Sequence, residues 1–252
     1  MTGIELKGQR VPCRLVIFDK DGTLIDFTAT WVPLIRKRVR FLLKALKRND
    51  KELEAFLLKS WGIDPMSGKI DPRGPCPVSP RADEIIIGTM GLYQKGYPWD
   101  EAKQWVAQAF DEADADGDWR EEVVPIKGIQ TFLSHLRELG LCTALATNDE
   151  RKDTEAILNH LGMEGLFDTI LCAGDVDSPK PHPETILTIC RRLGIDPRET
   201  VMVGDSVADM MTGKRAGVAL TVGILEGGVT PRQELEKVAD LVVDSIRDLR
   251  FS

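Results

Sequence analysis

The chain has 252 residues, of which 42% are hydrophobic and 29% are charged. This composition is typical of a globular protein with one large domain, or a core domain with a smaller one attached. The formal net charge of −7 argues against nonspecific nucleic-acid binding, which depends on neutralisation of phosphates by Lys and Arg. We therefore expect no nucleic-acid partner.

The five cysteines are scattered and form no CxxC pair, a pattern that favours a reducing compartment over a disulfide scaffold. The first ten residues, MTGIELKGQR, are polar and lack the apolar run of a signal peptide. No stretch approaches the ~18 apolar residues of a membrane span. These features predict a cytoplasmic protein without a membrane partner, and they leave the oligomeric state open.

The first predicted strand, residues 14–18, is short, apolar and β-branched, as is typical of a strand buried on both faces. Helical periodicity dominates the next hundred residues. It predicts helices at 29–48, 51–61, 82–93 and 99–113, with Thr28 or Thr30 capping the first. A loop rich in Pro and Gly, residues 64–80, separates the second and third helices, and the sequence gives it no role.

After Pro125 the pattern changes to an alternation of strands and helices, which predicts a parallel sheet covered by helices. Gly194 and Gly217 are predicted to end two of the helices. The predicted strands are 141–146, 169–172, 200–203, 219–223 and 241–243, and the predicted helices are 128–139, 153–161, 183–193, 207–216 and 231–238.

The predicted fold class is therefore α/β. A doubly wound parallel-sheet (Rossmann-like) core is formed by residues 1–25 and 122–252. An all-helical domain, residues 26–121, is inserted into this core soon after its first strand.

Polar side chains follow four of the predicted strands, and ligands bind at the carboxyl ends of the strands in such sheets. Each group alone has a structural explanation, as a turn or a helix cap; Ser206 and Asp209, for example, form a potential capping box. Their combination and order favour a common site. The segments are Asp19-Lys20-Asp21-Gly22-Thr23, Thr147-Asn148-Asp149, Ser178-Pro179-Lys180-Pro181, and Gly204-Asp205-Ser206 with Asp209.

This order of motifs resembles the haloacid dehalogenase superfamily of phosphohydrolases. The segment from Asp19 to Thr23 resembles the DxDGT signature, and the segment from Gly204 to Asp209 resembles the GDSxxD metal motif. Thr147 and Lys180 resemble the Thr or Ser and the Lys that stand between these motifs. The inserted helices resemble a C1-type cap, and the whole arrangement is closest to phosphoglycolate-phosphatase-like members.

The resemblance implies a Mg²⁺-dependent phosphatase that acts on a small phosphorylated metabolite. Asp19 would attack phosphorus and form an aspartyl-phosphate. Asp21 would protonate the leaving oxygen and then activate the hydrolytic water. The phosphate would be bound by Thr147, Asn148 and Lys180. The cap would open and close over the site, with hinges near residues 24–27 and 121–125.

The metal ligands implied by the resemblance are Asp19, Asp205, Asp209 and the main-chain carbonyl of Asp21. A phosphate dianion against a carboxylate at ~4 Å costs about 4 kcal/mol per charge pair at an effective dielectric constant of 20. Cations are therefore required, and clustered oxygen ligands suit Mg²⁺. Strand alternation predicts that Lys20 points away from the two flanking aspartates, so we assign it no catalytic role.

These residues also bear on other functions. Asp21 argues against halide displacement, because a halide leaves without a proton. A sugar-phosphate phosphomutase would retain both aspartates and stays open, as does a non-catalytic binding module. The substrate also stays open among phosphoglycolate, a sugar phosphate and a nucleotide.

Two charged segments of the insertion have ordinary explanations. The acidic run at residues 112–117 is rejected as a calcium loop, because Val123 stands where that loop needs Glu. It predicts a solvated turn instead. The basic run that begins at Arg36 predicts either a solvated helix face or a surface that steers an anionic substrate.

Overall fold

The computed structural model describes residues 3–6 and 9–252. The chain divides into two compact units. The first comprises Met1–Phe27 and Val123–Ser252, and we call it the core unit. The second, Thr28–Glu122, is called the helical unit.

The core unit begins with an antiparallel hairpin of β1 (Gly3–Leu6) and β2 (Gln9–Pro12). The sequence predicts no strand here, because its short, polar run gives no clear period. The next strand, β3 (Leu15–Phe18), belongs to the main sheet, and all four of its residues are buried. Burial of every residue is expected for a strand covered on both faces.

The main sheet contains six parallel strands in the order β5-β4-β3-β6-β7-β8. The predicted doubly wound α/β class is therefore confirmed. Because β4 and β6 flank β3, the carboxyl ends of these three strands are neighbours. The remaining strands are β4 (Cys142–Glu150), β5 (Thr169–Ala173), β6 (Thr200–Gly204), β7 (Leu220–Ile224) and β8 (Leu241–Val243).

Strand β4 is longer than predicted. It runs to Glu150 rather than to residue 146, and its register against β5 shifts between Ala146 and Glu150. Its last residues are polar, so the sequence pattern did not extend the strand over them. Thr147, Asn148 and Asp149 consequently lie within the irregular end of β4 rather than after it.

The helical unit contains four α-helices and a short 3₁₀ helix at Trp119–Glu122. The first begins at Phe27, so Thr28 and Thr30 lie inside it and the predicted cap is wrong. Residues 64–80 form turns, with a bridge between Ile63 and Ile70. The helices are α1 (Phe27–Ala45), α2 (Lys51–Ser60), α3 (Arg81–Gln94) and α4 (Trp99–Ala115).

Charged side chains of the helical unit are partly buried in an ion-pair network. Arg38 donates to Glu84 Oε2 at 2.8 Å and to Asp114 Oδ1 at 2.9 Å, and its guanidinium group lies 4.8 Å from the Phe110 ring centroid. Lys37 is also buried. The solvated-face interpretation is therefore wrong for Lys37 and Arg38. Helix α4 continues to Ala115, so the predicted turn at 112–117 is mostly helix.

Helices pack against the sheet of the core unit. Helix α8 has the bounds the sequence predicts, with a Ser206–Asp209 capping box at its start and Gly217 at φ +74° after its end. Helix α9 is shorter than predicted, and Pro231 precedes it. These helices are α5 (Ile129–Glu138), α6 (Arg151–His160), α7 (Glu184–Leu193), α8 (Val207–Ala216) and α9 (Arg232–Leu235). Within the described ranges, no helix has both the length and the apolar character to cross a bilayer.

Candidate active site

Three buried carboxylates from different segments of the core unit lie together. Asp19 directly follows β3, Asp205 follows β6, and Asp209 lies in the first turn of α8. One carboxylate oxygen from each lies within 4.8 Å of the others. The structure thus brings together three of the four predicted metal ligands; the Asp21 side chain is not part of this group.

Lys180, from the loop after β5, bridges two of these carboxylates. Its ammonium nitrogen donates to Asp19 Oδ1 at 2.5 Å and to Asp209 Oδ1 at 2.7 Å. All three side chains are almost completely buried. The lysine that the sequence predicted for the site is therefore in direct contact with the predicted nucleophile.

The charges in this cluster do not balance, because three carboxylates face one ammonium group. Burial, followed by the charge of Asp209, raises the pKa of Asp19 to about 7. Burial and then Asp19 raise the pKa of Asp205 well above its ordinary value. An excess of buried negative charge, carried by oxygen donors alone, fits a hard divalent cation such as Mg²⁺.

Asp205 lies in a space that two glycines leave open. Gly22 has φ +76°, and a Cβ atom there would lie 2.3 Å from Asp205 Oδ2. A Cβ atom on Gly228 would lie 2.6 Å from Asp205 Cβ. Side chains at these positions would displace Asp205. Gly228 lies far from any motif along the chain, and nothing local in the sequence indicated its role.

Asp209 serves the helix and the cluster at once. Its Oδ2 accepts from the Ser206 main-chain N–H at 3.1 Å and from the Ser206 hydroxyl at 2.6 Å. Its Oδ1 accepts from Lys180. The predicted capping box is therefore present, and the same carboxylate lies in the cluster.

The polar residues at the end of β4 contact the chain itself. Asn148 Oδ1 accepts from the Lys180 main-chain N–H, and its Nδ2 donates to the Lys180 carbonyl, both at 3.1 Å. Thr147 is buried, and its Oγ1 accepts from the Asp149 N–H at 3.1 Å. Asn148 thus fixes the backbone that carries Lys180, a contact the sequence did not predict. Phosphate binding by Thr147 and Asn148 stays a prediction.

The orientation of the Lys20 side chain differs from the sequence prediction. Its side chain is 1% exposed, and its Nζ lies 2.6 Å from Asp21 Oδ2 and 2.8 Å from Asp149 Oδ2. The prediction that Lys20 points away from both neighbouring aspartates is therefore wrong for Asp21. Strand β3 ends at Phe18, so strand alternation does not extend to Lys20.

The surroundings of Asp21 and Asp149 separate the pKa values of these two carboxyl groups. Burial raises the pKa of Asp21 to about 6, with Lys20 opposing the rise and Asp149 adding to it. Burial alone would raise the pKa of Asp149, but the charge of Lys20 and a hydrogen bond with Asp21 keep it below its ordinary value. A carboxyl group that titrates near neutrality can both donate and accept a proton.

The chain is similar in sequence to known hydrolases. Residues 13–217 match the family described as haloacid dehalogenase-like hydrolase. The chain is 34% identical over 241 residues to "Probable phosphatase IndB" of Dickeya dadantii, covering 93% of this chain and 91% of that protein. It is 30% identical over 244 residues to phosphoglycolate phosphatase 1 of Pseudomonas aeruginosa, covering 95% and 79%.

Among solved structures, the fold matches a predicted phosphoglycolate phosphatase from Haemophilus somnus with a TM-score of 0.67 and 20% identity, covering 94% of this chain and 96% of that one. At this identity the likeness supports the fold alone. The chain belongs to the haloacid dehalogenase-like hydrolases, as its motifs predicted, and its enzyme class is phosphatase.

Proposed function

We propose that the protein is a Mg²⁺-dependent phosphatase that hydrolyses a small phosphate monoester through an aspartyl-phosphate on Asp19. One observation carries this proposal. Lys180 holds the Asp19 carboxylate at 2.5 Å, in a buried cluster with two further carboxylates. A carboxylate fixed beside a cation is placed to attack an anionic phosphorus centre that it would otherwise repel.

The proposed reaction has two steps that share one acid–base group. In the first, an Asp19 oxygen forms a bond to phosphorus, the bond to the leaving oxygen breaks, and Asp21 gives that oxygen its proton. In the second, Asp21 takes a proton from water as the water oxygen bonds to phosphorus. The bond to Asp19 then breaks, and inorganic phosphate is released.

The remaining residues stabilise the phosphoryl group. Lys180 supplies positive charge to its oxygens, and the Thr147 hydroxyl and main-chain N–H groups at the end of β4 supply hydrogen bonds. When bound, Mg²⁺ would offset further negative charge. Its ligands would be Asp19, Asp205, Asp209 and the main-chain carbonyl of Asp21.

Phosphoglycolate is the first substrate to test, since one of the relatives is a phosphoglycolate phosphatase. In this proposal the helical unit acts as the cap that selects the substrate. The cytoplasm is the proposed location, because scattered cysteines favour a reducing compartment.

The direct test is a panel of metabolite phosphates with Mg²⁺, scored by phosphate release, on the unchanged protein and on Asp19→Asn. We expect Asp19→Asn to lower turnover by roughly 10⁴-fold or more, the scale on which loss of a nucleophile acts. It should also abolish trapping of a labelled phosphoenzyme. Asp196→Asn, at a half-exposed aspartate of the core unit that lies outside the cluster, is the matched control and should keep full activity.

Substantial phosphatase activity in Asp19→Asn would contradict the mechanism, and full turnover in the presence of a Mg²⁺ chelator would contradict the metal requirement. The same panel separates the phosphomutase alternative, because a mutase would isomerise a sugar phosphate without releasing phosphate.

A further inference from the structure

Two buried lysines divide the aspartates of the site between them. Lys180 contacts Asp19, whereas Lys20 contacts Asp21 and Asp149 at 2.6 and 2.8 Å. Each aspartate of the proposed reaction therefore has its own ammonium partner. The mechanism above uses Lys180 and gives no task to Lys20 or Asp149.

The charge on Lys20 requires an explanation. Its side chain is 1% exposed, and burial of an ion is unfavourable unless partners compensate for it. It directly follows Asp19 and the fully apolar strand β3 (Leu15–Phe18), where an apolar side chain would be buried at no such cost. The ammonium group is instead placed between two carboxylates.

The main chain at Asp149 is anchored independently of Lys20. It lies on β4, the strand next to β3, and its N–H donates to Thr147 Oγ1 at 3.1 Å. The register shift at the end of β4 involves the same residues. Asp149 can therefore act as a fixed point against which Lys20 is held.

We propose that Lys20 and Asp149 are positioning residues that hold the Asp21 carboxyl group in one orientation for proton transfer. This rests on the proposed function, in which Asp21 protonates the leaving oxygen. Proton transfer requires heavy atoms about 2.6–3.2 Å apart, and a misplacement of about 1 Å can cost roughly 100-fold in rate. Lys20 restricts Asp21 from one side, and Asp149 contacts both Lys20 and Asp21.

The proposal predicts a dependence on the leaving group. A p-nitrophenolate ion leaves without a proton, whereas an alkyl alcohol needs the proton from Asp21. Disturbing the position of Asp21 should therefore slow hydrolysis of alkyl phosphates more than hydrolysis of p-nitrophenyl phosphate. A general loss of structure would slow both to the same extent.

The experiment measures kcat/KM for p-nitrophenyl phosphate, phenyl phosphate and an alkyl phosphate with Mg²⁺ present. The variants are Lys20→Met, Asp149→Asn and the double variant. The double variant removes the charges of Lys20 and Asp149 together, so Asp149 does not keep a charge that has lost its partner. It therefore provides a test even if Lys20→Met alone does not fold. Lys214→Met, which breaks a half-exposed ion pair with Asp240 in the core unit, is the matched control.

We expect the double variant to lose at least about tenfold more kcat/KM on the alkyl phosphate than on p-nitrophenyl phosphate. Asp21→Asn should show the same substrate preference with a larger loss, because removal of a general acid–base group costs about 100-fold or more in rate. Lys214→Met should lose the same small factor on every substrate. An equal loss on all substrates in the double variant would overturn the positioning role. Absence of turnover in the unchanged protein would overturn the proposed function itself, and this proposal with it.

Discussion

Asp19 illustrates how burial and charge act on a single residue. Its carboxyl group is buried with two others, and its pKa is raised from 3.8 to about 7. Between these two values the folded, metal-free protein holds a proton on Asp19 that the unfolded chain releases. The free energy of unfolding of the metal-free protein should therefore fall as pH rises through this range.

The raised pKa of Asp19 also predicts how stabilisation by Mg²⁺ depends on pH. A divalent cation competes with protons for the same carboxylates, so the increase in Tm caused by Mg²⁺ should be larger at about pH 8 than at about pH 5.5. Thermal unfolding with and without Mg²⁺ at the two pH values measures it. In Asp205→Asn the Mg²⁺-dependent increase should be lost. An increase in Tm that does not change with pH would contradict the assignment of these carboxylates as ligands.

The packing of helix α8 against strand β6 sets the position of a carboxylate in the site. Its first turn carries Asp209, and Gly204 precedes it at the end of β6. A Cβ atom on Gly204 would lie 2.5 Å from the Cβ and Cγ atoms of Asp209. The close packing of strand and helix therefore fixes the carboxylate that Lys180 contacts.

We expect Gly204→Ala to shift Asp209 and to lower kcat by about tenfold or more, because small displacements at a reaction centre are costly. The control is Gly217→Ala at the other end of α8, where a Cβ atom would meet nothing within 4 Å. Its φ of +74° should cost about 1–2 kcal/mol of stability with activity retained. Phosphate-release assays and urea unfolding measure the two effects. Equal activity in both variants would contradict this account.

The ends of α8 also show which features a sequence can reveal. A capping box and a glycine are local signals, and they fixed both ends of this helix correctly. The end of β4 was missed, because its irregular register depends on the neighbouring strand β5. The prediction for Lys20 was wrong for a related reason. Strand β3 ends at Phe18, before Lys20, and the contact of Lys20 with Asp149 joins segments far apart in the chain, which no local period encodes.

The whole molecule consists of two units, each with its own buried residues. In the helical unit, Arg38 is buried against two carboxylates, Glu84 and Asp114. The burial of these charges depends on their pairing. Loss of Arg38 would remove the cation that Glu84 and Asp114 share, and Asp114 would keep only its ion pair with Arg81.

We expect Arg38→Met to lower the free energy of unfolding by about 3–5 kcal/mol. Arg40→Met is the matched control, because Arg40 is exposed on the same helix α1; its change should stay within about 0.5 kcal/mol. Chemical unfolding followed by circular dichroism measures both. Equal stability of the two variants would show that the Arg38 network contributes little.

The central position of β3 has a consequence for synthesis of the chain. This strand is made early, yet residues 19–141 separate it from β4, and β6 follows later still. At about 5–20 residues per second, the first neighbour of β3 leaves the ribosome on the order of ten seconds later. During that interval a fully apolar strand has no sheet to join, while the helical unit, whose residues all precede β4, has time to fold. Nascent chains stalled before residue 141 should therefore be the form of this protein that chaperones bind most strongly.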